Sequence, residues 1–300
     1  MSGRSTKIAV RLCLAALTVI LSSSLTAMNS TGLALDAVPP RVEGLAGAFV
    51  AADGGLDSLA VNPAGIAGIR DRTISFSCEN IAEGVTGLQL NAAFPVPRVG
   101  PFGVRLGCVL LPASGGVGYS EFLVSAAYGR RFLKFLDAGT SAGFFSVSLN
   151  DRSASAFVMD LGCRASFVIP LLLAEHRLSG GISLRNIGTG LKFVFDTVSL
   201  NHWLVVGGSY SVNRLLLTVD ARFLLNYEQT AVYAAGVEYS FGGQLCLRGG
   251  VETTRSQTRF YFGLSFGAAF ASVRPTLDYA FNPISATGGA GHNAGLNMVF

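Results

Sequence analysis

Three histidines, His176, His202 and His292, and five cysteines are the side chains of this sequence best suited to metal binding or nucleophilic catalysis. No two of them stand at the spacing that brings zinc ligands together on one element. Glu228 and Glu238 fall on separate predicted strands, so nothing in the sequence joins them for acid–base work. Gly115-Gly116-Val117-Gly118 is glycine-rich but lacks the lysine and following helix of a phosphate-binding loop, and it reads as a loop or kink. The serines and His202 leave a hydrolase-type pair open without pointing to one. The expectation is a protein that is not an enzyme, with no catalytic, cofactor or metal site.

The composition points elsewhere. Half of the residues are hydrophobic and 13% are charged, yet apolar residues come in short stretches diluted by Gly, Ser, Thr and Asn. Beyond the first two dozen residues no run approaches the roughly 20 apolar residues that a spanning helix needs. Such a chain is either a very apolar soluble β-protein or a closed barrel facing lipid. At the start, Arg4, Lys7 and Arg11 precede the apolar run Leu12 to Leu21, and Leu25-Thr26-Ala27 ends in a small residue. That is the pattern of a secretory signal cleaved near Ala27. Without its three cations the formal charge of +4 falls to +1, because 1–27 holds no Asp or Glu. A nearly neutral mature chain gives no electrostatic case for nucleic acid. Cys78, Cys108, Cys163 and Cys246 would remain, read as free thiols in the wall with one disulfide left open.

From Arg72 onward, stretches of about ten residues with alternating or β-rich character are broken by Gly, Pro, Asn, Asp or Ser, the length of a tilted transmembrane strand. In Gln244–Glu252, Leu245, Leu247 and Val251 share one face while Gln244, Arg248 and Glu252 share the other. One face can meet lipid and the other a lumen. Strands are expected at 72–80, 86–94, 100–110, 121–131, 138–149, 157–168, 178–187, 203–212, 214–224, 231–240, 243–252, 258–267, 269–281 and 291–300. This even number suits a closed antiparallel barrel, joined by short loops. The stretch 111–119 is too rich in glycine for an ordinary central strand and is expected as a turn or a broken strand.

The last strand carries Ala294, Leu296, Met298 and Phe300 at alternate positions. A terminal strand of this pattern ending in Phe looks like the signal read by the barrel-assembly machinery. Leu296, Met298 and Phe300 are therefore the candidate assembly residues.

Residues 28–71 do not alternate. They contain Arg41-Val-Glu-Gly-Leu-Ala-Gly-Ala-Phe-Val-Ala51, Asp53, and Asp57-Ser-Leu-Ala-Val-Asn-Pro-Ala-Gly65. Pro63 fixes its own φ and Gly65 permits a reversal, so Asn62-Pro63-Ala64-Gly65 is expected as a rigid turn rather than helix or strand, with Asn62 capping a backbone group. The segment resembles the FadL and PorV/PorQ group of outer-membrane proteins, whose mature chains begin with a Gly-Ala-Phe-Val-Ala stretch, an acidic turn and an Asn-Pro-Ala-Gly motif. Arg185-Asn-Ile-Gly188, Gly236-Val-Glu-Tyr239, Leu247-Arg-Gly-Gly250 and Leu277-Asp-Tyr-Ala-Phe281 continue the likeness in order. It departs where Val61 replaces an aromatic residue and Ala46 a glycine.

The resemblance implies a signal peptide at 1–27, a hatch at 28–71 inside the lumen, and an all-β transmembrane barrel of about 14 strands at 72–300 in the bacterial outer membrane. Gly47, Phe49, Asn62, Pro63, Ala64 and Gly65 are then the candidate gate residues. The function it implies is passive uptake of a hydrophobic small molecule, of the long-chain fatty acid class, in contact with outer-membrane lipid. Two alternatives stay open: a PorV-like role with a secretion component as partner, and a structural or surface-exposed outer-membrane protein.

Overall fold

A computed structural model describes residues 32–53, 55–82, 85–114, 117–171, 174–193, 197–226, 231–268, 273–283 and 290–300. The expected signal segment, residues 28–31 and Glu228 lie outside the described residues.

The first seven strands are β1 (Thr73–Ala82), β2 (Val85–Val96), β3 (Gly100–Ser114), β4 (Val117–Leu133), β5 (Leu136–Leu149), β6 (Arg152–Leu171) and β7 (Ala174–Gly188). Two short strands, β8 (Leu191–Lys192) and β9 (Thr197–Val198), pair only with each other. Then come β10 (Trp203–Val212), β11 (Leu215–Leu224), β12 (Ala231–Phe241), β13 (Leu245–Thr253), β14 (Thr258–Gly267), β15 (Arg274–Asn282) and β16 (Gly291–Val299). Strands β1–β7 and β10–β16 form one closed antiparallel barrel of 14 strands. The circle closes because β1 pairs on both sides: Phe76 sits opposite Leu90 of β2 and opposite Leu296 of β16. Closure leaves no edge strand, which is what lets strands cross lipid without orphaned backbone groups.

Period-two alternation sorts the wall into two faces. Phe76, Phe122, Phe144, Val219, Phe262 and Leu277 face outward with 48–61% of their surface exposed. Arg105, Glu121, Arg164, Asp220 and Arg248 face inward and are buried. A folded wall with bulky apolar residues outside and charges inside faces hydrocarbon, and closed barrels of this kind are built for the outer membrane. Rings stack along the rim at the end that carries both barrel termini: Phe94 with Phe102, Phe102 with Tyr128, and Phe135 with Phe167. Such aromatic girdles mark the membrane interface. Cys78, Cys108 and Cys163 share the outward parity and Cys246 the inward one, and all four are free.

The strands fall where the alternation places them, with two corrections. The stretch 111–119 is not simply a turn: β3 runs to Ser114 and β4 starts at Val117, with a register shift between Leu111 and Ser114. Pairing to β2 has already stopped at Leu110 and pairing to β5 begins at Tyr119, so the tip has no outer neighbours to disturb. Gly and Pro are tolerated there for that reason. The loops are also not all short: the described residues of 189–202 include the paired β8 and β9, and Leu191 and Leu200 are buried in the lumen.

Phe144→Arg would place a charge on the lipid face, and the cost should be up to about 2–4 kcal/mol depending on depth. Urea titration of barrels refolded into vesicles reads it. Deleting Phe300, whose amide N–H donates to Arg72 O at 2.9 Å, should lower the fraction of heat-modifiable barrel in membranes. Unchanged yields would remove its assembly role.

Candidate functional site: the plugged lumen

The described residues from Gly32 to Ile69 sit inside the barrel, and almost all of them are buried. They form helical turns at Leu33–Asp36 and Pro40–Glu43 and 3-10 turns at Gly55–Ala60 and Pro63–Gly68, joined by irregular chain. Its short turns pair some of its own backbone groups, and the wall must bond those that the turns leave over.

It does so with lumen-facing side chains. Arg105 of β3 donates through Nη2 to the carbonyls of Ala34, Leu35 and Ala37, the last at 2.6 Å. Ala34 N–H donates to Glu121 Oε2 of β4 at 2.6 Å. Asp220 Oδ2 of β11 accepts from the amides of Phe49 and Val50 at 2.8 and 3.0 Å. Arg222 Nη2 donates to Ala46 O at 3.0 Å and to Glu252 at 2.6 Å. Arg164 joins Ala52 O and Asp53 of the plug to Asp137 of β5. Charge-assisted bonds of this type are the strong ones, and each buried group left without one costs about 1–3 kcal/mol.

Arg41 carries the plug's own cation to the wall. Its guanidinium grips Glu238 of β12 through Nε and Nη2, both at 2.9 Å, lies 3.7 Å from Asp57, and covers the Phe49 ring at 5.3 Å. Glu238 also accepts from Arg248 at 2.5 Å, and Arg248 reaches Asp278 at 3.2 Å. Burial pushes the Asp57 carboxyl up to about 6 despite Arg41 beside it. Burial likewise raises Asp36, 3.8 Å from Arg185. This network borders a cavity of ≈ 370 Å³, lined by both charged and apolar side chains, at the end of the barrel that carries the chain termini.

Close approach needs room. A Cβ on Gly139 would stand 2.4 Å from Pro63 O, on Gly181 2.4 Å from Val50 O, and on Gly250 2.6 Å from Ala46 N. These lumen-facing glycines let plug backbone lie against wall backbone, the usual meaning of a glycine inside a strand. Their spread through the sequence was plain, but their common role needed the fold.

The sequence-derived gate residues all lie in this plug. Asn62 is 1% exposed and caps the second 3-10 turn: its Oδ1 accepts from Ala64 N–H at 3.1 Å. Its Nδ2 donates to Val50 O at 2.7 Å and Cys163 O at 3.2 Å, tying together two parts of the plug and the wall. Pro63 is the first residue of that 3-10 helix, which corrects the expectation of a turn that is neither helix nor strand. Proline at the first helical position loses no bond the helix would have made. Gly65 does not reverse the chain; it is required because a Cβ there would lie 2.4 Å from Ser58 Cβ. Gly47, at φ +75°, follows Ala46 at φ +56°, so the alanine that departs from the family pattern holds a left-handed conformation natural to glycine. Phe49 is buried under Arg41. Leu296 and Met298 lie on β16.

Away from the charged network the lumen is apolar. Leu35 packs with Leu123, Phe145, Val147 and Val158 of the wall and with Leu191 and Leu200 of the 189–202 loop. His176 and His292 each bond a tyrosine, Tyr210 at 2.5 Å and Tyr279 at 2.6 Å, and do not meet. Among the described residues no three His, Cys, Asp or Glu side chains converge as a metal site.

No protein-family model matches the chain and no curated protein is significantly similar to it. Its fold is similar to that of the toluene transporter TbuX of Ralstonia pickettii, at 14% identity over 88% of this chain and 97% of that one, with a TM-score of 0.59. The toluene transporter TodX of P. putida gives 12% identity, the same coverage and a TM-score of 0.54. Identities this low establish the shared architecture alone.

Cysteines replacing Ala48 of the plug and Ala234 of β12, which share one buried cluster, in a background with the four native wall cysteines changed to serine, should be joined by a short bismaleimide linker and shift gel mobility. A folded barrel that never crosslinks would place the plug elsewhere.

Proposed function

We propose that this barrel is a FadL-like outer-membrane channel for passive passage of hydrophobic small molecules, gated by its plug, and not an enzyme. The observation that carries the reading is the lumen cluster around Phe145: Leu35 of the plug, Leu123, Val147 and Val158 of the wall, and Leu191 and Leu200 of the loop. A pore for polar solutes has no use for an apolar lining. An apolar ligand gains about 25 cal/mol for each Å² of surface it removes from water against such side chains.

In this mechanism the ligand partitions into the apolar region by displacing Leu35 and its helical turn. That turn is held by Arg105, Glu121 and Arg185, so its displacement breaks bonds to the wall but none within the wall. The barrel ladder stays closed while the plug changes place. The similarity to toluene transporters and the FadL-like hatch motif support the same reading, and they leave two ligand chemistries to separate, a neutral hydrocarbon and a long-chain fatty acid.

The test compares uptake of radiolabelled toluene and of a long-chain fatty acid in cells carrying the wild type, Asn62→Ala, or no copy. Asn62→Ala strands Val50 O and the Ala64 amide, which should loosen the plug by about 1–3 kcal/mol and alter uptake at unchanged surface abundance. Whichever compound responds is the ligand class. Equal uptake of both in all three strains would overturn the channel reading.

A further inference from the structure

Where the barrel closes, the plug meets the wall without a cation. Glu43, at the end of the Pro40–Glu43 turn, is 9% exposed, and its Oε2 has no hydrogen-bond partner. Its charge acts on Glu79 of β1. Glu79 pairs directly with Asn293 of β16, which is fully buried. The Asn293 amide lies in hydrogen-bonding range of the Glu43 carboxyl and also donates from Nδ2 to Val38 O at 3.0 Å. That bond fixes which way the amide points, so Asn293 Oδ1 is the atom left over, and it too has no partner. Among the described residues no ion pair joins a basic side chain to Glu43 or Glu79.

The next rows of the same inner surface repeat the pattern. Ser77 lies opposite Gln89, and Ser75 lies between Asn91 and Asn297. Gln89 Oε1, Asn91 Oδ1 and Asn297 Oδ1 are further buried acceptors without a donor. Other lumen carboxylates have their own partners: Asp137 meets Arg164, Glu238 meets Arg41 and Arg248, Glu252 meets Arg222, and Glu121 and Asp220 accept from plug amides. A patch made of carboxylate and amide oxygens lacks a positive partner, and hard divalent cations bind oxygen sets of this kind, completed by water. Two carboxylates on this one patch repel each other unless a proton or a cation lies between them.

We propose that Glu43, Glu79 and Asn293 hold a calcium-class divalent cation that fastens the plug to the seam between the first and last strands. Two carboxylates neutralise the ion, and the Asn293 amide oxygen and water fill its shell. The ion joins the plug's second helical turn to both strands whose pairing closes the barrel. Its release separates Glu43 from Glu79 by like-charge repulsion and frees that turn.

The test uses full-length mature barrel refolded in detergent, dialysed against chelator and titrated with Tb³⁺, then with competing Ca²⁺. Tyr261, close enough to sense the Glu43 charge, serves as the antenna. One Tb³⁺ per barrel with sensitised emission, displaced by Ca²⁺, is the expected result. Glu43→Gln and Glu79→Gln should each weaken it at least about ten-fold, since affinity follows the count of charged ligands. Tyr261→Phe should dim the emission and leave the affinity. Heat-modifiable mobility on gels verifies that each variant is folded, because the wall ladder does not depend on Glu43. Absence of stoichiometric binding by the wild type, or equal binding by the folded Gln variants, overturns the site and points to a shared proton between the carboxyls. No hydrophobic ligand is present, so this result is independent of whether the barrel transports one.

Discussion

Irregular backbone enclosed by a barrel must send the amides and carbonyls that it does not pair within itself to the wall around it. Between Gly32 and Ile69 this protein encloses such a chain, and the lumen is arranged to answer it. Arg105 serves three carbonyls, Asp220 two amides, and Arg164 and Arg222 one carbonyl each while holding a carboxylate as well. The arginines are suited to this because a guanidinium offers several donors at fixed angles and keeps its charge when buried. The desolvation of Arg164, Arg222 and Arg248 is offset by Asp137, Glu252 and Glu238, each on another strand of the wall.

The same requirement explains the distribution of small side chains. A donor on the wall reaches a plug carbonyl only if the two backbones lie close, and Gly139, Gly181 and Gly250 clear the space in which Pro63, Val50 and Ala46 rest. The plug is therefore fitted to the wall by polar bonds, by glycine gaps and by apolar packing of Val42, Phe49 and Val50 in one cluster with Val205, Leu224 and Val232, while a second set of apolar contacts gathers around Phe145 and Leu200. An apolar molecule competes for the second set of contacts and leaves the first intact until the Leu33–Asp36 turn moves.

The wall was legible in the sequence because its constraint is local: each strand must alternate, and each turn must interrupt the alternation. Even the face assignments of Leu247, Arg248 and Glu252 follow from period two. The plug was legible as something other than a strand, and Asn62 as a capping residue, but its bonds were not. Nothing in the spacing of Arg105 and Ala37, or of Asp220 and Phe49, tells that they meet, since both pairings depend on barrel closure far away in the chain. The Asn62-Pro63-Ala64-Gly65 motif misled in one respect: a proline that stops a helix when it sits inside one also starts one when it comes first. The β8–β9 hairpin was missed because strands of two residues carry no periodicity to detect.

The pairing of β1 with β16 joins residues from the two ends of the barrel sequence, Phe76 with Leu296. This contact spans nearly the whole barrel sequence, so it is among the slowest to find and closes last if the hairpins form in order. The plug precedes in the chain every strand that surrounds it. A plug already resting against the unfinished sheet is enclosed when the last strand pairs, because a finished barrel offers no side slot through which an irregular segment could be threaded. Closure thus favours one order of events: the plug acts as the mandrel on which the final circle is drawn shut, whereas a plug that arrives afterwards has to enter through an end of the cylinder.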